Sequence, residues 1–131
     1  MAVPARPVTP LTASCSEQPL ARATSCNCSI CRRHGALWAY GVQGETFSVE
    51  GETRTYVWNT KWLAFHFCGV CACVVAWAAQ RPGEDGRVRG AVNLRLAADP
   101  AEVQAIPLIH HDTETMSDLP PDGKCVADVW A

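Results

Sequence analysis

The chain has 131 residues and a formal net charge of −2, from 11 basic and 13 acidic residues. This length fits a single domain with a modest hydrophobic core. The balanced charge argues against a nucleic-acid partner and against attraction to an anionic membrane. No apolar run approaches the roughly 20 residues that span a bilayer, and the first residues lack the apolar segment of a signal peptide. We therefore expect a cytoplasmic protein with no nucleic-acid or membrane partner.

The first 23 residues differ in composition from the rest of the chain. Four of the nine prolines lie in the first 20 positions, and the segment shows neither a helical nor a strand period. Because proline fixes φ and lacks a backbone donor, this density disfavours regular structure. We predict an irregular N-terminal arm over 1–23 and a folded domain over 24–131.

Short runs of β-prone residues, separated by turn residues, fill the middle of the chain. One such run is rich in Thr, Tyr, Val and Trp, and in another Leu63, Phe65 and Phe67 share one face. Many short strands at this spacing are typical of an all-β domain. The predicted strands cover 36–40, 47–50, 54–58, 62–67, 74–77, 91–96 and 106–110.

The sequence shows one helix start, between the predicted strands 91–96 and 106–110. Asp99 can cap a helix, Pro100 suits the first helical position, and Glu102 lies three residues after the cap. Pro107 limits the helix to about two turns. We predict one short helix near 99–106 in an otherwise all-β fold.

The chain has eight cysteines, and six of them fall into the two short runs 26–31 and 68–73. Disulfides are rare in a reducing compartment, where clustered cysteines more often bind metal or perform redox chemistry. Each run is therefore a candidate metal or redox site. The two cysteines outside the runs are Cys15 and Cys125.

The first run, C-N-C-S-I-C, places Cys26, Cys28 and Cys31 close together in the sequence. Cysteines two apart on a straight strand point to opposite faces, so the backbone must turn at Asn27 and Ser29 for the thiols to share an ion. Zinc prefers four tetrahedral ligands, and three protein thiolates leave one corner open, as in catalytic sites. A substrate thiol in that corner would lose its proton and become a nucleophile.

Other interpretations of the first run stay open. The three cysteines could be buried free thiols, or a pair of them could form a disulfide. His34 could supply a fourth ligand and close the zinc site. Arg32 and Arg33 could offset the negative charge of zinc with three thiolates, or they could be a solvated pair.

The second run, F-C-G-V-C-A-C, contains Cys68 and Cys71 at the C-x-x-C spacing that commonly supplies half of a structural zinc site. Such a site needs two further ligands, for which Cys73, Cys15 and Cys125 are the candidates. Thioredoxin-like redox chemistry is the alternative, but no βαβ pattern surrounds the motif. We expect one zinc in the first run and an incomplete site in the second.

Several other residues near the runs have simpler interpretations. Phe65, Phe67 and Trp77 are expected to pack in the core. His110 and His111 are expected to be an exposed pair at a strand end rather than metal ligands.

Both cysteine runs lie in segments that resemble a known family. The similar segments are C-N-C-S-I-C-R-R-H-G-A-L-W-A-Y at 26–40, G-E-T-R-T-Y-V-W at 51–58, A-F-H-F-C-G-V-C-A-C at 64–73 and V-N-L-R-L at 92–96. The tail segments P-L-I-H-H-D and D-G-K-C-V-A-D-V-W are similar as well. With these motifs the chain resembles the glutathione-dependent formaldehyde-activating enzyme family, which includes centromere protein V. The likeness covers about residues 24–131.

This resemblance implies a β-tent-like fold with two zinc sites. In the family, the site that corresponds to Cys26, Cys28 and Cys31 is the proposed catalytic one, where the thiol of glutathione meets zinc and adds to formaldehyde. In the family, the structural site takes two ligands from an early C-x-C and two from the later C-x-x-C. The later pair corresponds to Cys68 and Cys71. The chain departs from the family pattern because it lacks the early C-x-C.

Two functions follow from these features. The first is a zinc-dependent enzyme of the carbon–sulfur lyase type, which forms an adduct of glutathione with formaldehyde or a related small electrophile. In that enzyme Arg32 or Arg33 would meet a glutathione carboxylate. The alternative is a non-catalytic zinc module that binds a small thiol or a protein partner.

Overall fold

The protein is mostly β-structure, as a computed structural model covering residues 2–4, 12–15, 20–57 and 61–130 describes it. The prediction of a small all-β domain is confirmed. Within the described residues, no helix has both the length and the apolar character to cross a bilayer. The strands are β1 (Ala2–Pro4), β2 (Thr12–Cys15), β3 (Ala23–Cys26), β4 (Trp38–Val42), β5 (Phe47–Glu50), β6 (Arg54–Val57), β7 (Leu63–Phe67), β8 (Val74–Ala79), β9 (Arg89–Asn93), β10 (Leu108–Asp112) and β11 (Ser117–Asp118), and the α-helix, α1, is Ser29–His34.

The strands form two sheets. A three-stranded sheet has the order β1-β2-β5, and an eight-stranded sheet has the order β11-β10-β3-β4-β9-β8-β7-β6. Neighbouring strands are antiparallel except β10 and β3, which run parallel with His111 opposite Cys26. The larger sheet therefore brings the C-terminal part of the chain beside the first cysteine run.

The main hydrophobic core covers one face of the larger sheet. It joins Val75 of β8 and Val92 of β9 to Phe47 of the smaller sheet. Gly90 of β9 is required here, because a Cβ atom at this position would lie 2.6 Å from the Phe47 ring and 2.5 Å from the carbonyl oxygen of Trp77. Residues from the C-terminal part also contribute to this core: Leu94, Val103, Ile106, Leu108 and Val126.

A second apolar cluster covers the opposite face of the same sheet. It contains Val74 and Ala91, each the chain neighbour of a main-core residue. Since successive side chains of a strand point to opposite faces, the two clusters lie on the two sides of the sheet. Cys31, Ala36 and Trp38 complete the buried part of this second cluster. The first cysteine run is therefore packed against a sheet face separate from the main core.

The N-terminal segment contains more regular structure than its composition predicts. We interpreted 1–23 as an irregular arm, but β1 and β2 lie within it, and β2 pairs with β5. Proline is tolerated at strand ends and edges, which explains how Pro4 ends β1. The boundary between an arm and a domain at 23/24 stays a prediction.

The α-helix lies elsewhere than the capping signature suggested. Asp99 does cap its segment, accepting a hydrogen bond from the Ala101 N–H over 3.0 Å. That segment is a single 3-10 turn, Pro100–Glu102, rather than two turns of α-helix. The α-helix is α1, and its C-cap is Gly35, which has the left-handed conformation with φ of 60°.

Arg95 fixes the end of α1 against the C-terminal part of the chain. Its guanidinium donates one hydrogen bond to the Gly35 carbonyl over 3.0 Å and another to the Trp130 carbonyl over 2.9 Å. The same guanidinium lies over the Trp130 ring, 5.8 Å from its centre. These contacts hold the helix, and the cysteine that it carries, in a fixed position relative to the sheet.

Candidate metal centre

Cys26, Cys28 and Cys31 converge in the folded chain. Their Sγ atoms all lie within 4.8 Å of one another. Cys31 is buried, whereas Cys26 and Cys28 are half-buried. In the part of the chain that the structure describes, no fourth Cys, His, Asp or Glu side chain joins this group.

The backbone turns between β3 and α1 in the way that the spacing required. Cys26 is the last residue of β3, and Cys28 is the N-cap of α1, with an extended φ of −60° and ψ of 158°. Positions three apart lie on the same side of a helix, so Cys31 returns to Cys28. The Cys31 N–H donates a hydrogen bond to Cys28 Sγ over 3.4 Å.

Trp38 contacts the cysteine cluster from the neighbouring strand β4. Its indole Nε1–H donates a hydrogen bond to Cys31 Sγ over 3.3 Å, and the side chain is only 1% exposed. A buried donor aimed at a sulfur atom stabilises the thiolate form over the thiol. The sequence alone did not identify this residue, because its role depends on how β4 packs against α1.

Asn27 ties the cysteine run to the loop after β10. Its side-chain oxygen accepts hydrogen bonds from the Thr113 N–H and hydroxyl, both over 2.9 Å. Its side-chain nitrogen donates to Asp112 over 3.0 Å. Asn27 therefore serves as a turn residue, as predicted, and also anchors the run to a distant part of the chain.

The three thiols perturb one another's pKa values. Hydrogen bonds from Cys26 and Cys31 hold the pKa of Cys28 far below its ordinary range. The hydrogen bond with Cys26, then the one with Cys28 and burial, raise the pKa of Cys31. The hydrogen bond with Cys28 likewise raises the pKa of Cys26. The neighbouring thiols thus favour the thiolate form of Cys28, the N-cap residue.

The donor set fits a zinc ion. A tetrahedral zinc with bonds of about 2.3 Å needs sulfur atoms about 3.8 Å apart, and the three Sγ atoms already lie within 4.8 Å of one another. N–H donors reach two of the three sulfur atoms, from Cys31 and from Trp38. Such donors orient and stabilise thiolate ligands, and thiolates suit zinc.

A groove of about 990 Å³ opens beside Cys28. The side chains of Tyr56, Leu63, Phe65 and Phe67, from β6 and β7, form one wall of it. Leu63, Phe65 and Phe67 share a face of β7, as predicted, but this face lines the groove. Phe65 and Phe67 pack half-buried against the second apolar cluster, so the expected core packing is confirmed in part, and the same two rings also line the groove.

The two arginines that follow the cysteine run differ in their surroundings. Both are exposed in the last turn of α1. Arg33 lines the groove, as does His34, and Arg32 does not. Among the described residues, the His34 ring is not part of the cysteine group. A contact of Arg32 or Arg33 with glutathione stays a prediction.

The second cysteine run forms a tight turn at the edge of the main core. Cys68 is buried, and its Sγ accepts a hydrogen bond from the Val70 N–H over 3.4 Å. Cys71 and Cys73 pack against the core, and desolvation, followed by a hydrogen bond with Cys71, raises the pKa of Cys73. Cys68, Cys71 and Cys73 do not form a ligand group of the kind found at 26–31 among the described residues.

The other candidate ligands of a second site are Cys125 and Cys15, and the ligand group found among the described residues contains neither of them. Cys125 caps the 3-10 turn Val126–Val129. The backbone of Cys15 lies in β2, opposite Phe47, and its side chain lies outside the described residues. Whether the second site is complete therefore stays a prediction.

His110 and His111 each have an acidic partner. His110 Nε2 lies 3.1 Å from Asp122, and His111 Nδ1 lies 3.0 Å from Asp118. Both histidines are half-buried in β10, and neither joins the cysteine group within the described part of the chain. The prediction of an exposed pair is therefore wrong in the exposure, because each ring is half-buried beside its acidic partner. That neither histidine is a metal ligand stays a prediction.

The fold is similar to that of a solved structure. A crystal structure of a Rhodobacter sphaeroides protein, a structural genomics target, matches with a TM-score of 0.56 and 20% sequence identity, covering 76% of this chain and 92% of that chain. At this level of identity the likeness shows the fold alone. No family model matches the chain, and no curated protein matches it.

Proposed function

We propose that Cys26, Cys28 and Cys31 bind zinc and that the centre forms carbon–sulfur bonds between a thiol and a small carbonyl electrophile. This is the carbon–sulfur lyase type of reaction, run towards addition. The observation that supports it is the convergence of three thiols, with no fourth ligand among the described residues, beside a groove. Glutathione and formaldehyde are the pair that the family resemblance implies, and the cytoplasm is the compartment that we propose.

In this proposal, different residues would bind the ion, stabilise its thiolate ligands and position the substrate. The three cysteines hold the ion, and the N–H donors of Cys31 and Trp38 lower the charge on their sulfur atoms. When bound, zinc supplies a positive charge that keeps a substrate thiol in its thiolate form at neutral pH. The groove positions the substrate: its apolar wall excludes water, and Arg33 meets an anionic group.

The addition itself is balanced without a further reactant. The thiolate sulfur attacks the carbonyl carbon and forms the C–S bond. The π electrons of the C=O bond move to the oxygen atom, which takes a proton from water, and the proton that the thiol released to solvent neutralises the hydroxide left behind. No oxidant or reductant is consumed.

One observation favours a second candidate, a zinc module that binds a small thiol or a protein partner without catalysis. No carboxylate is present among the described residues that line the groove, so the described site offers no acidic side chain for proton transfer. Thiols also add to formaldehyde spontaneously, which limits the acceleration that positioning alone can provide.

The rate of adduct formation separates the two candidates. We expect glutathione and formaldehyde to react faster with the protein than in buffer, and we expect Cys28→Ala to remove this excess together with the bound zinc. Cys125→Ala is the matched control, because Cys125 lies outside the cysteine group. Zinc-loaded protein that binds glutathione but leaves the rate at the buffer value would support the non-catalytic module.

A further inference from the structure

The groove beside Cys28 is walled mainly by aromatic and aliphatic side chains. Tyr56 of β6 and Phe65 of β7 are paired neighbours on the sheet, and Leu63 and Phe67 extend the same wall along β7. Ile30 of α1 lies on the other side. The groove thus offers a continuous apolar surface that begins at the cysteine centre.

Two large aromatic side chains at the groove are exposed to solvent although their rings are largely apolar. Trp62 is 56% exposed and Tyr56 is 45% exposed, and both line the groove. Exposed apolar patches of this kind mark ligand-binding surfaces more often than scattered single residues do. A ligand that covered both rings would remove their apolar area from water, which favours binding.

Arg33 gives the groove a cationic side chain that has no ion-pair partner among the described residues. Arg33 lines it, and among the described residues Arg33 forms no ion pair, whereas Arg22, Arg87 and Arg89 each do. No acidic side chain occurs among the described lining residues. The guanidinium is therefore available to a carboxylate of a ligand, which it can hold with two parallel hydrogen bonds.

The dimensions and the lining of the groove suit a ligand with a large apolar part. A groove of about 990 Å³ has room for a small organic molecule. An apolar ligand body that lies against the aromatic wall removes apolar area from water. An apolar body with one carboxylate matches the wall and Arg33 together.

We propose that the groove binds a small molecule with an aryl or branched-alkyl body and a single carboxylate. The body lies against Tyr56, Trp62 and Phe65, and the carboxylate pairs with Arg33. The role of this molecule as a reactant at the cysteine centre rests on the proposed function. Its binding in the groove does not.

Ligand-observed NMR titration of the full chain with 3-phenylpropanoate tests this inference. We expect acetate, which lacks the body, and 3-phenylpropanol, which lacks the charge, to bind at least about tenfold more weakly. Arg33→Ala should weaken 3-phenylpropanoate binding roughly tenfold, and the adjacent Arg32→Ala, which lies outside the groove, should leave it unchanged.

A second pair of variants tests the apolar wall. Trp62→Ala should weaken 3-phenylpropanoate binding roughly fivefold or more. Leu119→Ala, an exposed apolar residue that does not line the groove, is the matched control. The circular dichroism spectrum of each variant verifies that it is folded. Equal affinity for 3-phenylpropanoate and acetate, or equal effects of Arg33→Ala and Arg32→Ala, would overturn the inference.

The same titration on Cys26→Ser separates this inference from the proposed function. Cys26 belongs to the cysteine group but does not line the groove, so we expect 3-phenylpropanoate to bind Cys26→Ser and the wild type equally. Equal binding supports the groove proposal even when the centre proves to hold no zinc. Loss of 3-phenylpropanoate binding in Cys26→Ser, with the fold intact, would show that the groove is not an independent site and would contradict the inference.

Discussion

The indole N–H of Trp38 donates a hydrogen bond to the Sγ atom of Cys31 over 3.3 Å, in a fully buried setting. The two residues come from β4 and α1, so the bond links the sheet to the helix that carries Cys31, the most buried of the three clustered cysteines. A donor fixed by the sheet orients the sulfur atom before any ion binds. Trp38 is therefore a positioning residue for the metal centre.

Replacing Trp38 with Phe should weaken zinc binding. Phe keeps an aromatic ring in the pocket but removes the donor to Cys31. Loss of a hydrogen bond to a metal ligand typically lowers metal affinity roughly tenfold or more. Competition with a chromophoric chelator measures the affinity, and Trp62→Phe, which changes an exposed ring outside the cysteine group, is the control. Equal zinc affinities of the wild type and Trp38→Phe would show that the Trp38 hydrogen bond does not contribute to zinc binding.

Replacing Asn93 with Ala should destabilise the fold. The Asn93 side chain is 2% exposed. It accepts hydrogen bonds from the Leu37 and Arg95 N–H groups, each over 3.1 Å, and donates to the Val74 carbonyl over 2.9 Å. Ala leaves buried backbone groups unpaired, and we expect the free energy of unfolding to fall by about 2–4 kcal/mol. Urea denaturation measures it. The exposed substitution Ser48→Ala should change it by less than about 0.5 kcal/mol.

The stability of the protein should fall in mild acid because of His66. Burial lowers the pKa of His66 below its ordinary value of 6.5, so the unfolded chain binds more protons than the folded chain as the pH falls through this range. The free energy of unfolding therefore decreases as the pH falls below the ordinary value, and the loss is complete below the folded pKa. His66→Gln should show a smaller decrease between pH 7.5 and 5.5, measured by urea denaturation. Parallel curves for the two proteins would contradict this assignment.

The strand pattern was predictable because the short apolar runs have a period of two and are separated by turn residues. The run 47–50 agrees with β5 residue for residue, and 62–67 agrees with β7 to within one residue. The convergence of Cys26, Cys28 and Cys31 was also predictable, since their spacing permits one compact turn.

The helix α1 was not predictable from common capping residues. Its N-cap is Cys28, whose sulfur atom accepts the hydrogen bond that Ser, Thr, Asp or Asn usually accepts. Its six residues are too few to show an apolar period. Gly35, directly after three basic residues, was the signal of its end that could have been used.

The groove could not be predicted because periodicity identifies which side chains share a face and not what covers that face. Phe65 and Phe67 have the pattern of core residues, yet they line an open groove. The long-range partners Trp38 and Asn93 were missed for the same reason. Their roles depend on which strands become neighbours, and the chain spacing does not contain that information.

Metal analysis of protein purified without added zinc tests the central claim most directly. We predict that the wild type retains zinc after dialysis against a weak chelator, and that Cys31→Ser contains about one zinc fewer per chain. Cys125→Ser should retain the content of the wild type, because Cys125 is outside the cysteine group. Comparing the proteins isolates the site at 26–31 from any zinc bound by the second run. Equal zinc content in the wild type and Cys31→Ser, or a wild type that retains none, would contradict the account.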